Sequence, residues 1–163
     1  MGFRDGLLRW TIPAGRWGGT AVRISALLPL AGIAATVQTG SPAVGAAVAG
    51  TLLAVSAATE IVRIALCARL GQPVEECLIW PLGGLEPIER TPTRSPWVHL
   101  AVPATGLALC GVLWGSLRAA RTAITFDPAL SPAAAALISA AVVTAANLLP
   151  TWPLACGRAV RDL

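Results

Sequence analysis

Lysine and tyrosine are absent from this chain of 163 residues, and histidine occurs once, as His99. Charged residues are also scarce: they make up 12% of the chain, against roughly a quarter in a soluble domain. Hydrophobic residues make up 55%, and the mean hydropathy is +0.70. Because so little polar surface is available, a soluble protein is excluded. We expect an integral membrane protein of helical type, with residues 1–163 forming one domain.

All the basic residues are arginines, and they give a net charge of +4. They lie at the ends of apolar runs rather than in one block, which argues against nucleic acid and for topology signals in a lipid bilayer. If there are four spans, most arginines fall on one side of the membrane, and only Arg118 and Arg121 fall on the other. The first group is Arg4, Arg9, Arg16, Arg23, Arg69, Arg90, Arg94, Arg158 and Arg161. The positive-inside rule then places both termini and the loop of residues 71–94 in the cytoplasm. We expect the membrane to be a bacterial inner membrane.

Four apolar runs predict four membrane-spanning helices, over about residues 21–39, 42–70, 97–116 and 132–149. A Ser-Pro pair precedes three of them, with serine as N-cap and proline at the first helical position. These pairs are Ser41-Pro42, Ser95-Pro96 and Ser131-Pro132. Gly40 and Gly71 are expected to end the first two helices, and Pro29 and Pro103 to kink the first and third.

The longest polar segment, residues 71–94, separates the second and third spans. Cys77–Trp80 is predicted to be a short strand, and Gly83-Gly84 a turn. The predicted fold class is therefore an all-α polytopic membrane protein with about four transmembrane helices. A short β-strand or hairpin is expected in the cytoplasmic loop between helices 2 and 3.

Two opposite charges, Glu60 and Arg63, lie deep inside the second span. Intramembrane charges are costly, so such a pair is a functional-site hypothesis. The run Thr59-Glu60-Ile61-Val62-Arg63 also has the outline of the zinc-protease motif H-E-x-x-H, with both histidine positions replaced.

Further runs, in order along the chain, resemble the site-2 proteases, which are intramembrane zinc metalloproteases. They are Trp80-Pro81-Leu82-Gly83-Gly84, Ala101-Val102-Pro103, and Asn147-Leu148-Leu149-Pro150 continuing to Pro153-Leu154-Ala155-Cys156-Gly157-Arg158. The last run is similar to the family pattern N-L-L-P-x-x-P-L-D-G-G-R. The resemblance implies structural roles for Pro81, Gly83, Gly84, Pro103, Asn147, Pro150, Pro153, Gly157 and Arg158.

The chemistry departs from that pattern at the site itself. In the family, two histidines and an aspartate bind zinc, and the intervening glutamate is the general base. The matching positions here are Thr59, Arg63, Ala155 and Glu60. Threonine and alanine cannot replace these ligands, and arginine stays cationic. We therefore expect no metal, no cofactor and no catalysis. The asparagine expected after the helix-three proline corresponds to Gly106.

Three interpretations of the charged pair remain open. Glu60 and Arg63, at i and i+3, can meet, so that the guanidinium supplies the charge that zinc supplies in an active relative. Alternatively, Arg63 extends toward the cytoplasm. A third interpretation rebuilds a metal site from Glu60, Cys67, Cys156 and His99, although the cysteines (with Cys77 and Cys110) have no metal-binding spacing.

The sequence thus favours a catalytically inactive site-2-protease-like protein that acts as a scaffold or accessory subunit among other integral membrane proteins. One alternative is an intramembrane zinc protease with unconventional site residues. Another is a protein that binds transmembrane segments or lipid without cleavage.

Overall fold

The computed structural model describes residues 10–85, 95–120, 131–150 and 154–161. Within these residues the chain is mostly helical, with a small sheet at one end. The helices are α1 (Leu27–Thr39), α2 (Pro42–Arg69), α3 (Pro96–Ala119), α4 (Pro132–Leu148) and α5 (Ala155–Arg161). The strands are β1 (Thr11–Trp17), β2 (Thr20–Ser25), β3 (Glu76–Trp80) and β4 (Gly83–Leu85).

The sheet has the order β1-β2-β3-β4. The fold is therefore mostly helical, as expected, but its sheet has four strands where only a short strand or hairpin was expected. β1 and β2 form an antiparallel hairpin, and β2 runs parallel to β3. Gly18 and Gly19 connect the hairpin with φ values of +54° and +91°, which glycine adopts at little cost. Because β2 leads into α1 and β3 follows α2, the sheet joins two segments that are far apart in sequence at one end of the helices.

The predicted hairpin between the second and third spans is present, with its turn shifted. β3 and β4 pair antiparallel, and Pro81 and Leu82 form the turn. The prediction that Gly83-Gly84 would be the turn is wrong, since both glycines belong to β4. The site described below explains why β4 requires small residues.

The prediction that residues 21–39 form one membrane-spanning helix is wrong for residues 21–25. Residues 20–25 are strand β2, whose residues alternate between more and less buried as one-sided strands do. Helix α1 has only 13 residues, a length of about 20 Å against about 30 Å for the hydrocarbon core. Pro29 falls in the first turn of α1, where its missing N–H costs nothing, rather than at a kink in mid-helix.

Two helices, α2 and α3, are long and apolar enough to cross a membrane. The shorter helices α1 and α4 are also apolar, and α4 closely follows the predicted fourth span. The structure therefore supports two of the four predicted spans by length. Large apolar side chains are exposed on the helices, as expected for surfaces that contact lipid; examples are Leu30, Ile33, Val37, Leu107, Val112 and Val142.

The serines of the three Ser-Pro pairs do not all cap their helices. Ser41 Oγ accepts a hydrogen bond from Val44 N, and Ser131 Oγ accepts one from Ala134 N. Ser95 makes no such capping bond, although α3 begins at Pro96. The expected glycine stops are present, since Gly40 and Gly71 have φ values of +68° and +69°.

Helix α2 lies at the centre of the fold and contacts α1, α3, α4, β3 and β4. One buried cluster joins Leu52 and Val55 of α2 to Val22 and Ile79 of the sheet. A second joins Ile64 and Cys67 to Val74, Cys77 and Val98. The short helix α5, which the sequence did not predict, packs on α3 and α4. The sheet-proximal half of α2 is thus enclosed by the hairpin, α3 and α5.

Candidate functional site

The centre of the site is an ion pair between Glu60 and Arg63. Arg63 Nε donates to Glu60 Oε2 at 2.6 Å, and Arg63 Nη2 contacts the same oxygen. Both side chains are completely buried. The i, i+3 spacing in α2 places the two residues on one face of the helix. Arg63 therefore does not extend toward solvent, whereas Arg69, at the end of the same helix, is exposed.

The β3–β4 hairpin covers this ion pair. Cys77 Sγ donates to Glu60 Oε2 at 3.4 Å, and Arg63 Nη2 lies 3.7 Å from the same sulfur. From β4, Gly84 lies so close to Glu60 that a Cβ at this position would overlap the carboxyl group. Only glycine allows this approach of strand to helix. Gly84 of β4 is thus required by the buried carboxylate beneath it.

Helix α5 binds the outer side of the same hairpin. Arg158 Nη2 donates to the carbonyl oxygen of Gly84 at 2.7 Å, and the Arg158 side chain is buried. The positive charge of Arg158 also acts on the Glu60 carboxylate. A second buried guanidinium group thus binds the strand that lies against Glu60.

Asn147, at the end of α4, connects three parts of the chain. Its Nδ2 donates to the carbonyl oxygens of Leu82 and Val143, at 2.7 and 2.9 Å. Its Oδ1 accepts from Ala155 N at 3.4 Å. Gly83, with φ at +137°, packs against the same amide. One side chain thus fixes the hairpin turn and the start of α5 relative to α4.

The positions that the resemblance assigns to zinc ligands carry no suitable donor set. The Thr59 hydroxyl bonds to the carbonyl oxygens of Val55 and Ser56 in its own helix. Ala155 has no donor atom in its side chain, and Arg63 is a cation. Glu60 Oε1 is a buried oxygen without a hydrogen-bond partner among the described residues, but it is a single oxygen. Because a catalytic zinc takes three protein ligands, these residues do not fit the metal.

The alternative metal set is not brought together either. Cys67 lies in the apolar cluster with Ile64 and Val98, and His99 is completely buried in α3. Cys156 is half-buried in α5, and burial raises the pKa of its thiol, which disfavours the thiolate that binds metals. Within the described ranges, no group of three His, Cys, Asp or Glu side chains is arranged to hold a metal ion.

Most of the other motif residues lie in a turn, in helices or just after a helix. Pro81 forms the hairpin turn, Pro103 is buried within α3, and Gly157 is buried in α5. Pro150 is exposed just after α4. Pro153 lies outside the described residues. Gly106, which replaces the expected asparagine, allows α3 to approach Thr144 of α4, because a Cβ there would lie 2.7 Å from the Thr144 hydroxyl.

Two features of the site are not predicted by the sequence pattern. Cys77 is expected in a strand without a role, and for Arg158 the resemblance implies a structural role but not its contact with the hairpin. The available signal is indirect: alternation along β3 places Cys77 and Ile79 on one face, and Arg158 follows the Asn147 motif at short range. The pairing of β2 with β3 has no signal in the sequence, since the crossover between parallel strands has a minimum length but no characteristic one.

Comparison with known proteins identifies the fold. The site-2 protease from Methanocaldococcus jannaschii has a similar structure, with a TM-score of 0.70 and 17% sequence identity. The match covers 93% of this chain and 70% of that one. No family model and no curated protein sequence matches the chain. The chain therefore has a site-2-protease-like fold, as the motifs indicated, and the two long apolar helices together with this fold support a membrane protein.

Proposed function

We propose that this protein is a site-2-protease-like membrane protein that does not cleave peptides and instead acts as a scaffold or accessory subunit of a membrane complex. We further propose that it lies in a bacterial inner membrane with both termini in the cytoplasm. One observation carries the proposal of inactivity: Thr59, Arg63 and Ala155 occupy the three positions at which a metal would need donors. Without a metal, nothing activates the attacking water or polarises a scissile carbonyl.

The scaffold role is supported by the kind of surface that the helices expose. An apolar groove of about 320 Å³ lies between α2, α3 and α4. Gly50 and Ala54 of α2 line it on one side, and Leu109 and Leu113 of α3 on another. Small residues at i, i+4 spacing allow another helix to approach closely in a membrane. Such a surface suits a helix of a membrane partner.

The test combines cleavage and partner capture. The full chain is reconstituted in vesicles with single-span peptides of varied sequence, in the presence of zinc, and the products are analysed by mass spectrometry. A native-membrane pull-down is performed in parallel. The proposal predicts intact peptides and stoichiometric membrane-protein partners. Zinc-dependent cleavage that Glu60→Gln abolishes would instead establish an unconventional protease, the alternative suggested by the retained glutamate and by the fold. A lone monomer would contradict the subunit role.

Binding of a transmembrane segment without cleavage is the second candidate, and the same groove favours it. A photocrosslinking residue at Thr51, which lines the groove, distinguishes the two roles. A scaffold gives one crosslinked partner in constant ratio to this chain. A binder of segments gives several partners, and their yield falls when unlabelled peptide is added.

A further inference from the structure

We propose that Arg63 supplies, from within the chain, the positive charge that a metal ion would supply at this place in the fold, and that the resulting ion pair fastens the β3–β4 hairpin to α2. This inference rests on the proposed absence of a catalytic metal and specifies what has replaced it. It also gives the site a structural role, which is to join the helical core to the sheet.

The first support is electrostatic. Burying a carboxylate without a compensating charge is strongly unfavourable, and Glu60 is completely buried. Two nitrogens of the Arg63 guanidinium converge on Glu60 Oε2, a charge-assisted arrangement. Arg63 thus compensates the carboxylate at short range, and no ion from outside is needed.

The second support is the geometry of the hairpin. Cys77 of β3 donates a hydrogen bond to Glu60 Oε2, the same oxygen that accepts the hydrogen bond of Arg63. Gly84 of β4 packs directly against the Glu60 carboxyl group. The carbonyl oxygen of Gly84 accepts a hydrogen bond from Arg158 of α5. Contacts therefore run from α2 through the ion pair to both hairpin strands and on to α5. Removing a charge at the centre should loosen all of these elements.

The third support is the contrast with Arg69, the other arginine of α2. Arg69 is exposed in the last turn of the helix, where a cation interacts favourably with the helix end. Arg63 lies nearly two turns earlier and reaches no solvent. The same residue type on one helix thus provides a matched control for the role of the buried charge.

The experiment measures thermal unfolding of the full chain in detergent micelles for Arg63→Met and Arg69→Met. Breaking a buried pair is strongly destabilising, so we expect Arg63→Met to lower Tm by about 6 °C or more. Arg69→Met should change Tm by about 2 °C or less. Equal Tm values for the two variants would overturn the proposal, whatever the cleavage assay shows.

Charge and packing are separated by two further variants. Arg63→Lys keeps the charge and should recover part of the Tm lost in Arg63→Met. The double variant Glu60→Met/Arg63→Met removes both charges, so that no charge is buried without its partner. Its Tm should therefore be higher than that of the less stable single variant, Glu60→Met or Arg63→Met. If Arg63→Met fails to fold, folding of the double variant supports the proposal, and its failure contradicts it. Cleavage by the parent protein, assayed on the same sample, reports separately on the proposed function.

Discussion

At the scale of single residues, the site is defined by a few polar groups in an apolar surrounding. Glu60 and Arg63 satisfy each other's charge, and Asn147 satisfies backbone groups of two loops. These contacts occur where the hairpin, α4 and α5 meet α2. Glu60, Arg63 and Asn147, which match positions of the protease motifs, therefore make buried contacts within the chain, and each can be tested alone.

Gly84→Ala should destabilise the protein. The added Cβ would overlap the Glu60 carboxyl group, so strand and helix must separate. Overpacking of this kind costs about 1–3 kcal/mol, which chemical denaturation in micelles would measure. Gly111→Ala in α3 is the control, since a Cβ there meets nothing within 4 Å and alanine favours the helix. Equal stability of the Gly84 variant and the parent would show that β4 does not press on Glu60.

Asn147→Ala should cost about 1–3 kcal/mol of unfolding free energy, because it removes the Asn147 hydrogen bonds to a partly buried carbonyl of Leu82 and a buried N–H of Ala155. The exposed amide of Gln38 gives the matched control, Gln38→Ala, for which we expect less than about 0.5 kcal/mol. Hydrogen exchange at Leu82 to Leu85 should increase in the Asn147 variant alone. Unchanged exchange there would mean that the hairpin is held by other contacts.

At the scale of elements, the helices follow local rules that the sequence displays. Helices α2, α3 and α4 begin at the prolines of the three Ser-Pro pairs, and α2 ends before Gly71. Only two of the serines cap their helix through the side chain. Proline at the first helical position is therefore the shared signal. The serine contribution varies with the serine's own φ, which is −116° and −127° at the two capping serines and −58° at Ser95.

Ser131→Ala should therefore destabilise the protein by about 0.5–2 kcal/mol, since Ala134 N loses its partner at the start of α4. Ser95→Ala should be close to neutral, because Ser95 makes no capping bond. Denaturation of both variants under the same conditions tests the difference. A larger loss for Ser95 than for Ser131 would contradict this assignment of caps.

The sequence is informative about helices and weak about the sheet. Hydropathy and capping predict α2, α3 and α4 to within a few residues, because these signals are local. The strand β2 is missed because the predicted first span takes the apolar residues on both sides of Arg23 as helix. The strand β1 is missed because it contains Pro13 and Gly15, which are depleted in strands. The charged pair is visible as an i, i+3 spacing, but its contacts with Cys77, Gly84 and Arg158 join distant segments. Such contacts depend on the tertiary fold.

At the scale of the whole molecule, apolar side chains are exposed along the helices, while the sheet and the buried charges lie at one end. This distribution fits a bilayer around the helices, with the sheet near one membrane surface. Of the two span-length helices, α3 has the less covered surface. It should therefore contact lipid or a partner helix.

Leu107→Arg tests that arrangement. Leu107 is exposed near the middle of α3, and an arginine at the centre of a span costs about 2.5–3.5 kcal/mol. We expect a clear decrease in the fraction of protein that resists carbonate extraction from membranes. Trp97→Arg, at an exposed position near the start of α3, should leave that fraction unchanged, since arginine is tolerated at the interface. Full retention of the Leu107 variant would contradict a lipid-facing α3.

The central proposal is that an internal charge pair stands where a catalytic metal would be. The metal content of the purified protein tests this proposal most directly. The full chain is loaded with zinc, free metal is removed, and bound zinc is counted by mass spectrometry. A variant with rebuilt donors, Thr59→His/Arg63→His/Ala155→Asp, serves as the positive control. We predict far less than one zinc per parent chain and near one in the variant. One zinc per parent chain, lost on substitution of Glu60, would contradict the proposal.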